Sequence, residues 1–199
     1  MVSPYKAIDA GVGANLNTVM GDAETLKRTT GAHINFNYNL DMFTALIAEI
    51  QFGTLAGGDT YTTTTGREFS NNFKSFCVRG QMQVGKIFYR LPHAIQKAYL
   101  SSGIGGINNN ITSINRMSFK LPGYSTAGRP KSTNFFVPLR LGYEYRIKNA
   151  YKEPILKIDL GYQHNFVLGD DIDGFTANKK DIYSQLSLGF KIPLFGQRW

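Results

Sequence analysis

Apolar and polar residues alternate with a period of two along most of the chain. Residues 32–40 show this most clearly, because every even-numbered residue is apolar and every odd-numbered one is polar. Successive side chains of a strand point to opposite faces, so this period predicts strands and not helices. Only residues 92–97 are compatible with a single helical turn. Eight segments share the two-residue period and predict strands over residues 5–17, 31–40, 43–54, 74–86, 98–107, 134–147, 154–168 and 181–194.

The connections between these predicted strands alternate in length. Short links follow the second, fourth and sixth strands, and longer ones follow the first, third, fifth and seventh; the longer ones are residues 19–29, 55–73, 108–133 and 169–180. An even number of antiparallel strands with short turns at one end and long loops at the other is typical of an outer-membrane barrel. We therefore predict an all-β fold: a single domain over residues 1–199, forming an eight-stranded antiparallel up-and-down transmembrane β-barrel with short periplasmic turns and long extracellular loops. Both termini are expected on the periplasmic side.

Alternation alone does not say which face of the barrel is apolar. A soluble, lipocalin-like barrel has an apolar interior that binds a small hydrophobic ligand, whereas a membrane barrel has an apolar exterior. The polar face of a soluble barrel meets water and should be rich in Lys and Glu. Here charged residues make up only 18% of a chain with 21 glycines, and small residues and amides dominate the polar face. The composition favours the membrane barrel, and the soluble barrel is kept as the alternative.

The polar face also carries acids and bases in equal number. An eight-stranded barrel has an interior just wide enough to be filled by side chains. An unpaired charge in that space would cost on the order of several kcal/mol, so we predict a paired network and a plugged lumen. The predicted luminal charge network consists of Asp9, Glu49, Arg79, Arg140, Glu144, Lys157, Asp159 and Lys191.

These patterns resemble the small eight-stranded outer-membrane barrels of Gram-negative bacteria, the OmpA transmembrane-domain and OmpX-like group. The resemblance covers the whole chain as a pattern of alternation and loop lengths. Proteins of that group end in an aromatic residue that the barrel-insertion machinery recognises, and Trp199 resembles that insertion signal. The resemblance thus implies the cell outer membrane as the location and the insertion machinery as a partner. Strands rich in Tyr and Asn with long polar loops are also similar in composition to barrels common in the Bacteroidetes.

One histidine has a candidate catalytic partner. His164 lies on the outward, apolar phase of the seventh predicted strand, and hairpin register places Ser184 opposite it. A lipid-facing His beside a Ser resembles lipid A deacylases, in which the His activates the Ser for ester hydrolysis. However, no Ser stands two residues after His164, and no Glu lies nearby on the outward phase. An interfacial His–Ser pair without catalysis is favoured, and a lipid A acyl hydrolase stays as an alternative.

Two long loops carry clustered charge. The segment 108–133 has four bases and no acid, together with aromatic residues, and such a cluster can hold lipopolysaccharide phosphates or a partner protein. Simple solvation of the loop is the alternative. The acidic segment 170–174 lacks the ligand spacing of a calcium-binding EF-hand loop, so a solvated loop is expected there. The four bases are Arg116, Lys120, Arg129 and Lys131.

The remaining motifs exclude several classes of function. The chain has one cysteine and neither a metal-ligand cluster, a glycine-rich phosphate loop nor a nucleophile elbow, so no cofactor or metal is predicted. The net charge of +8 falls mainly in the connections, which favours contacts with outer-membrane lipid and lipopolysaccharide over nucleic acid. We predict a non-enzymatic integral outer-membrane protein that acts through its extracellular loops in surface interaction, in envelope integrity or as an accessory subunit of a larger outer-membrane complex with a protein partner.

Overall fold

Eight antiparallel strands close into a barrel in the computed structural model of the protein. Each strand pairs with its neighbours in sequence, and β8 pairs with β1 to complete the ring. The structure describes residues 5–21, 23, 25–63, 66–88, 90–117, 123, 125–151, 153–169, 171–175 and 181–198. The strands are β1 (Tyr5–Met20), β2 (Arg28–Asn39), β3 (Thr44–Gly58), β4 (Glu68–Gln83), β5 (Ala98–Asn115), β6 (Lys131–Lys148), β7 (Pro154–Val167) and β8 (Ile182–Arg198). The predicted all-β, up-and-down barrel is confirmed.

The two ends of the barrel differ in their connections. The short-turn end carries the links after β2, β4 and β6, and the long-loop end carries those after β1, β3, β5 and β7. The link after β4 contains a 3₁₀ turn, Val84–Lys86, and a short helix, α1 (His93–Gln96). The helical turn expected at residues 92–97 is therefore present, whereas the fourth strand ends three residues earlier than predicted. Within the described part of the chain, no helix is long and apolar enough to cross a membrane.

The strand phase places apolar side chains on the outside of the barrel and polar ones inside. Val12, Phe36 and Leu141 are outward and more than half exposed, whereas Glu49 and Arg79 face the lumen and are buried. A soluble barrel needs the reverse arrangement, so the lipocalin-like alternative is wrong. The exterior instead matches the apolar band that faces lipid in membrane barrels.

Several strands extend further toward the long-loop end than the sequence pattern predicts. β3 reaches Gly58, β4 begins at Glu68, β5 reaches Asn115 and β6 begins at Lys131, so the predicted loops 55–73 and 108–133 are too long. In these extensions the two-residue phase continues with its polarity inverted. On β4, for example, Phe69 and Phe73 face inward and are buried, and Lys74 faces outward and is exposed. These segments were predicted as loops because their outward residues are polar and not apolar.

Candidate functional site

A cluster of ion pairs fills the lumen nearest the short-turn end. Asp159 accepts hydrogen bonds from the Arg140 guanidinium at 2.5 Å, the Lys191 ammonium at 2.6 Å and the Tyr99 hydroxyl at 2.8 Å. Lys191 also lies 3.3 Å from Glu144. Opposite charges in contact offset the cost of removing each from water, which is how charges are kept in a narrow lumen.

The remaining predicted charges join or flank this cluster. The Lys157 ammonium lies 2.5 Å from Asp9 and 4.0 Å from Glu144. On the adjacent strands β3 and β4, Arg79 donates to Glu49 at 2.5 Å. All eight predicted luminal charges thus face the interior, and each contacts at least one of opposite sign. We call these eight residues with Tyr99 the ionic tier.

Two glycines and one tyrosine show how tightly the ionic tier is packed. A Cβ atom on Gly161 would collide with the Arg140 guanidinium, and one on Gly142 would collide with the Tyr99 ring. Tyr99 is missing from the sequence-based network because it is aromatic, yet it stands two residues before the luminal Ser101 on β5 and therefore shares its phase. Strand phase alone would have placed it inside the barrel.

A layer of amide side chains lies above the ionic tier. The Gln185 amide on β8 donates to Asn17 on β1 at 3.0 Å and to Gln51 on β3 at 2.9 Å. Asn165 donates to the Gln185 carbonyl at 3.1 Å. These bonds join β8 to the opposite wall and satisfy buried polar groups without any net charge.

Apolar side chains close the lumen at the long-loop end. The rings of Phe69 and Phe175 meet edge to face with centroids 6.1 Å apart, and Tyr183 packs against both Phe73 and Phe136. The apolar cap is formed by Val19, Ala23, Leu55, Phe69, Phe73, Cys77, Ile107, Phe136, Val167, Ile172, Phe175 and Tyr183. Such a layer keeps water away from the polar layers beneath it.

The acidic segment after β7 contributes to this apolar cap, so the prediction of a solvated loop is wrong. Ile172, Asp173 and Phe175 are fully buried. The Phe175 amide donates to the Asp173 carboxylate at 2.9 Å, and the Ile172 amide donates to Asp181 at 2.9 Å. Burial of Ile172 and Phe175 places the segment in the barrel mouth. There the carboxylates of Asp173 and Asp181 accept hydrogen bonds from its backbone. Asp170 lies outside the described residues.

The described bases predicted on the loop after β5 have different surroundings. Arg116 turns toward the barrel mouth and donates to the Gly174 carbonyl at 3.2 Å, whereas Arg129 and Lys131 are exposed. Lys120 lies outside the described residues, as does Trp199. The grouping of the four bases around one anionic ligand stays a prediction, and Lys131 is the one that begins a strand, β6.

Lys131 instead lies near a lysine that the sequence reading missed. Across β4, β5 and β6, outward side chains surround an open cavity of about 510 Å³. Its polar lining, which we call the lysine–amide surface, consists of Asn72, Lys74, Asn108, Asn110 and Lys131. Among the described residues, no carboxylate forms an ion pair with either lysine. Lys74 was missed because it lies in the inverted part of β4, outside the apolar pattern.

The outward His–Ser pair is formed as the register predicts. His164 on β7 lies opposite Ser184 on β8, with 2.9 Å between His164 Nδ1 and Ser184 Oγ. The imidazole stands edge to face with Tyr162, with centroids 4.9 Å apart. In the described part of the chain, no carboxylate bonds to the imidazole. The pair therefore lacks the third group that orients the base in a catalytic triad.

Comparisons with known proteins give matches in structure and none in sequence. No family model matches the chain, and no curated protein does. Neisserial surface protein A superposes with a TM-score of 0.57 and 12% identity over 94% of this chain and 97% of that one. Ail, the attachment invasion locus protein of Yersinia pestis, does so with a TM-score of 0.52 and 12% identity over 96% of this chain and 99% of its own.

A second structure of Ail, in complex with the heparin analogue sucrose octasulfate, superposes with a TM-score of 0.51 and 12% identity over 96% of this chain and 99% of its own. At this level of identity the likeness concerns the fold. The chain has the fold of the small eight-stranded outer-membrane barrels, as its sequence predicts.

Proposed function

We propose that this protein is an integral outer-membrane barrel that catalyses no reaction and binds lipopolysaccharide phosphates on its lysine–amide surface. The observation that carries the proposal is the change in the outer wall along β4 to β6. The wall is apolar at Phe76 and Ile104 and becomes polar and basic at Lys74 and Asn108. A wall of this kind meets hydrocarbon below and head groups above, with the long-loop end outside the cell.

The chemistry of the lysine–amide surface fits a phosphorylated glycolipid. Two ammonium groups attract phosphate, and three amides offer N–H donors and carbonyl acceptors to sugar hydroxyls. The cavity is open, which suits a ligand that approaches from the side within the leaflet. The complex of Ail with a sulfated sugar supports the choice of an anionic glycan as ligand.

The filled lumen supports a role that depends on the outer surface. Ion pairs, amides and apolar side chains occupy successive layers of the interior, as expected for an eight-stranded barrel without a channel. A contribution to envelope integrity follows from phosphate binding, because a protein that holds neighbouring lipopolysaccharide molecules links them together. Recognition of Trp199 by the insertion machinery and docking onto a larger outer-membrane complex stay predictions.

A binding measurement with purified lipid A tests the proposal. Protein refolded in detergent is titrated with lipid A by calorimetry, and the double variant Lys74→Gln with Lys131→Gln is expected to bind about a hundredfold more weakly, since each lost charged contact costs about tenfold. Binding of the unaltered protein should also weaken as salt is raised, because the contacts are exposed.

Lys148→Gln serves as the matched control. It also removes one exposed lysine, but from the short-turn end of the barrel, so lipid A affinity should stay within about twofold. Sucrose octasulfate added as a competitor should displace lipid A if charge and sugar hydroxyls together define the site. Equal affinities of the double variant and the unaltered protein would contradict the proposal.

A further inference from the structure

Four outward polar side chains form a row across a different part of the wall. Arg28 on β2 lies opposite Thr18 on β1, Thr18 lies opposite Ser184 on β8, and Ser184 lies opposite His164 on β7. We call these four residues the polar row. Neighbouring outward positions on paired strands stand about 5 Å apart, so adjacent members of the row can contact the same ligand.

Apolar side chains border the polar row on both sides along the strands. One paired row lies nearer the long-loop end and the other nearer the short-turn end; together they comprise Met20, Ile182 and Phe166, and Leu16, Leu186 and Tyr162. On β1, β8 and β7 the polar row is therefore enclosed within an apolar part of the wall, whereas Thr30 follows Arg28 on the outer face of β2. A polar side chain that faces lipid loses its hydrogen bonds to water, which costs free energy unless another polar group bonds to it.

An open cavity of about 320 Å³ lies at this row. Its lining is made of Leu16, Thr18, Met20, Arg28, Tyr162, Ser184 and Leu186. Ser184 is already held by its 2.9 Å contact with His164, whereas Arg28 is exposed and forms no ion pair with any carboxylate among the described residues. The cavity thus offers a permanent positive charge beside the Thr18 hydroxyl, with the buried Ser184 at its edge.

We propose that the polar row binds the phosphodiester of one glycerophospholipid molecule of the outer membrane. The planar guanidinium of Arg28 matches the two non-bridging phosphate oxygens, and the Thr18 hydroxyl donates to one of them. The acyl chains lie along the apolar row of Leu16 and Leu186. One guanidinium complements the single negative charge of a phosphodiester, whereas a lipid with two phosphate monoesters would leave most of its charge unmatched.

The His164–Ser184 pair serves this site by positioning a hydroxyl. Its contact fixes Ser184 Oγ at the edge of the cavity, on the side opposite Arg28, where it completes a set of polar groups on β2, β1 and β8. Hydrolysis would require a group that orients the imidazole, and no described carboxylate does so. The inference rests on the proposed membrane location, and not on the lysine–amide surface, which lies on other strands.

Native mass spectrometry of the detergent-solubilised full chain tests this site. Folding is first verified for each variant by its heat-dependent migration in gels and by insertion into phosphatidylcholine vesicles, so that a wrong membrane location is detected separately. Phosphatidylglycerol is then titrated. Arg28→Gln is expected to weaken the first binding event about tenfold, as loss of one charge-assisted contact does. Thr18→Val, which keeps the shape of the side chain, should weaken it by a smaller factor.

Three comparisons make the result decisive. Arg129→Gln removes an exposed arginine elsewhere and should leave phosphatidylglycerol binding unchanged. A diacylglycerol with the same acyl chains should bind at least about tenfold more weakly, since it lacks the phosphate. Equal binding by Arg28→Gln and the unaltered protein, or equal binding of the two lipids, would overturn the proposal. Release of fatty acid that disappears in Ser184→Ala would also overturn it, because the row would then be a hydrolytic site.

Discussion

On β3, β4 and β5 the two halves of the strand follow the same two-residue phase with opposite polarity. Toward the short-turn end, β4 has Val78 outside and Arg79 inside; toward the long-loop end it has Lys74 outside and Phe73 inside. The half nearer the short-turn end, which we call the lower half, thus has apolar side chains toward hydrocarbon and charged ones inside. The half nearer the long-loop end, the upper half, has polar side chains toward water and an apolar core inside. The comparison shows that the same strands can pass from lipid into water without a change in register, because only the types of the inward and outward residues change.

The largest expected effect comes from removing an acid from the lower half. Asp159→Asn keeps the shape of the side chain but leaves Arg140 and Lys191 with one uncompensated positive charge. Breaking a buried ion pair typically costs about 3–5 kcal/mol, so the free energy of unfolding should fall by about that amount. Urea unfolding in lipid vesicles, followed by tryptophan fluorescence and gel mobility, measures the loss.

Two further variants separate charge balance from shape. Asp59→Asn removes an exposed carboxylate from a loop and should leave the free energy of unfolding unchanged within error. Adding Arg140→Gln to Asp159→Asn restores neutrality and should recover part of the loss. If the loss in free energy of unfolding of the double variant equals the sum of the losses of the two single variants, charge balance does not stabilise the lower half.

The second effect concerns the upper half and should be local. Phe175→Ala removes the ring that packs on Phe69, and truncation of a buried Phe typically costs about 3 kcal/mol. Because Phe175 belongs to a loop segment that forms part of the apolar cap, this cost should appear as opening of the barrel mouth. Backbone amide hydrogen exchange at Ile172 should then accelerate roughly a hundredfold.

Exchange elsewhere decides whether the two halves are independent. Amides of β5 around Tyr99 should keep their protection in Phe175→Ala, because the ionic tier does not contact the cap segment. Tyr61→Ala, which removes an exposed aromatic ring from another loop of the same end, should change neither region. Equal acceleration around Ile172 and Tyr99 would show that the halves open as one unit.

The comparison also explains which parts of the structure were predictable from sequence. Outward apolar positions such as Ile34 and Phe36 predict the strand centres, and the opposite phase predicts the ionic tier. Strand register follows from hairpin geometry, which is why Ser184 was placed opposite His164. Each of these predictions uses neighbours along the chain or across one turn.

The inverted strand ends could not be predicted from the apolar pattern. That pattern marks only the part of each strand whose outward side chains face lipid. The predicted fourth strand begins at Lys74, and Phe73 is consistent with a loop until the strand is seen to continue past the apolar band. Burial of Ile172 and Phe175 depends on the space at the barrel mouth, which is lined by residues from seven strands. The lysine–amide surface likewise joins Lys74 and Lys131 across β5, and the whole of β5 with its two flanking connections separates them in sequence.

The smallest expected effect lies outside both halves, in the turn that joins β2 to β3. Partial burial tends to raise the pKa of Asp41, but hydrogen bonds from the Lys86 ammonium and from the Phe43 and Thr44 amides outweigh it and lower the pKa from 3.8 to about 2. A carboxylate with a lowered pKa adds stability that is fully present above its ordinary value of 3.8 and is lost as the pH falls to about 2. Since Asp41 is 44% exposed, the contribution should stay below about 1 kcal/mol.

A carbon NMR titration of the Asp41 carboxyl group in micelles measures this directly. The midpoint should lie near 2, and in Lys86→Gln it should move toward 3.8, because the ammonium no longer favours the charged form. A midpoint at 3.8 in the unaltered protein would show that the turn does not order these donors. A confirmed shift with little change in stability would sharpen the contrast with Asp159, since ion pairs of similar length, 2.8 Å at the surface and 2.5 Å in the lumen, would then differ in energetic effect through burial alone.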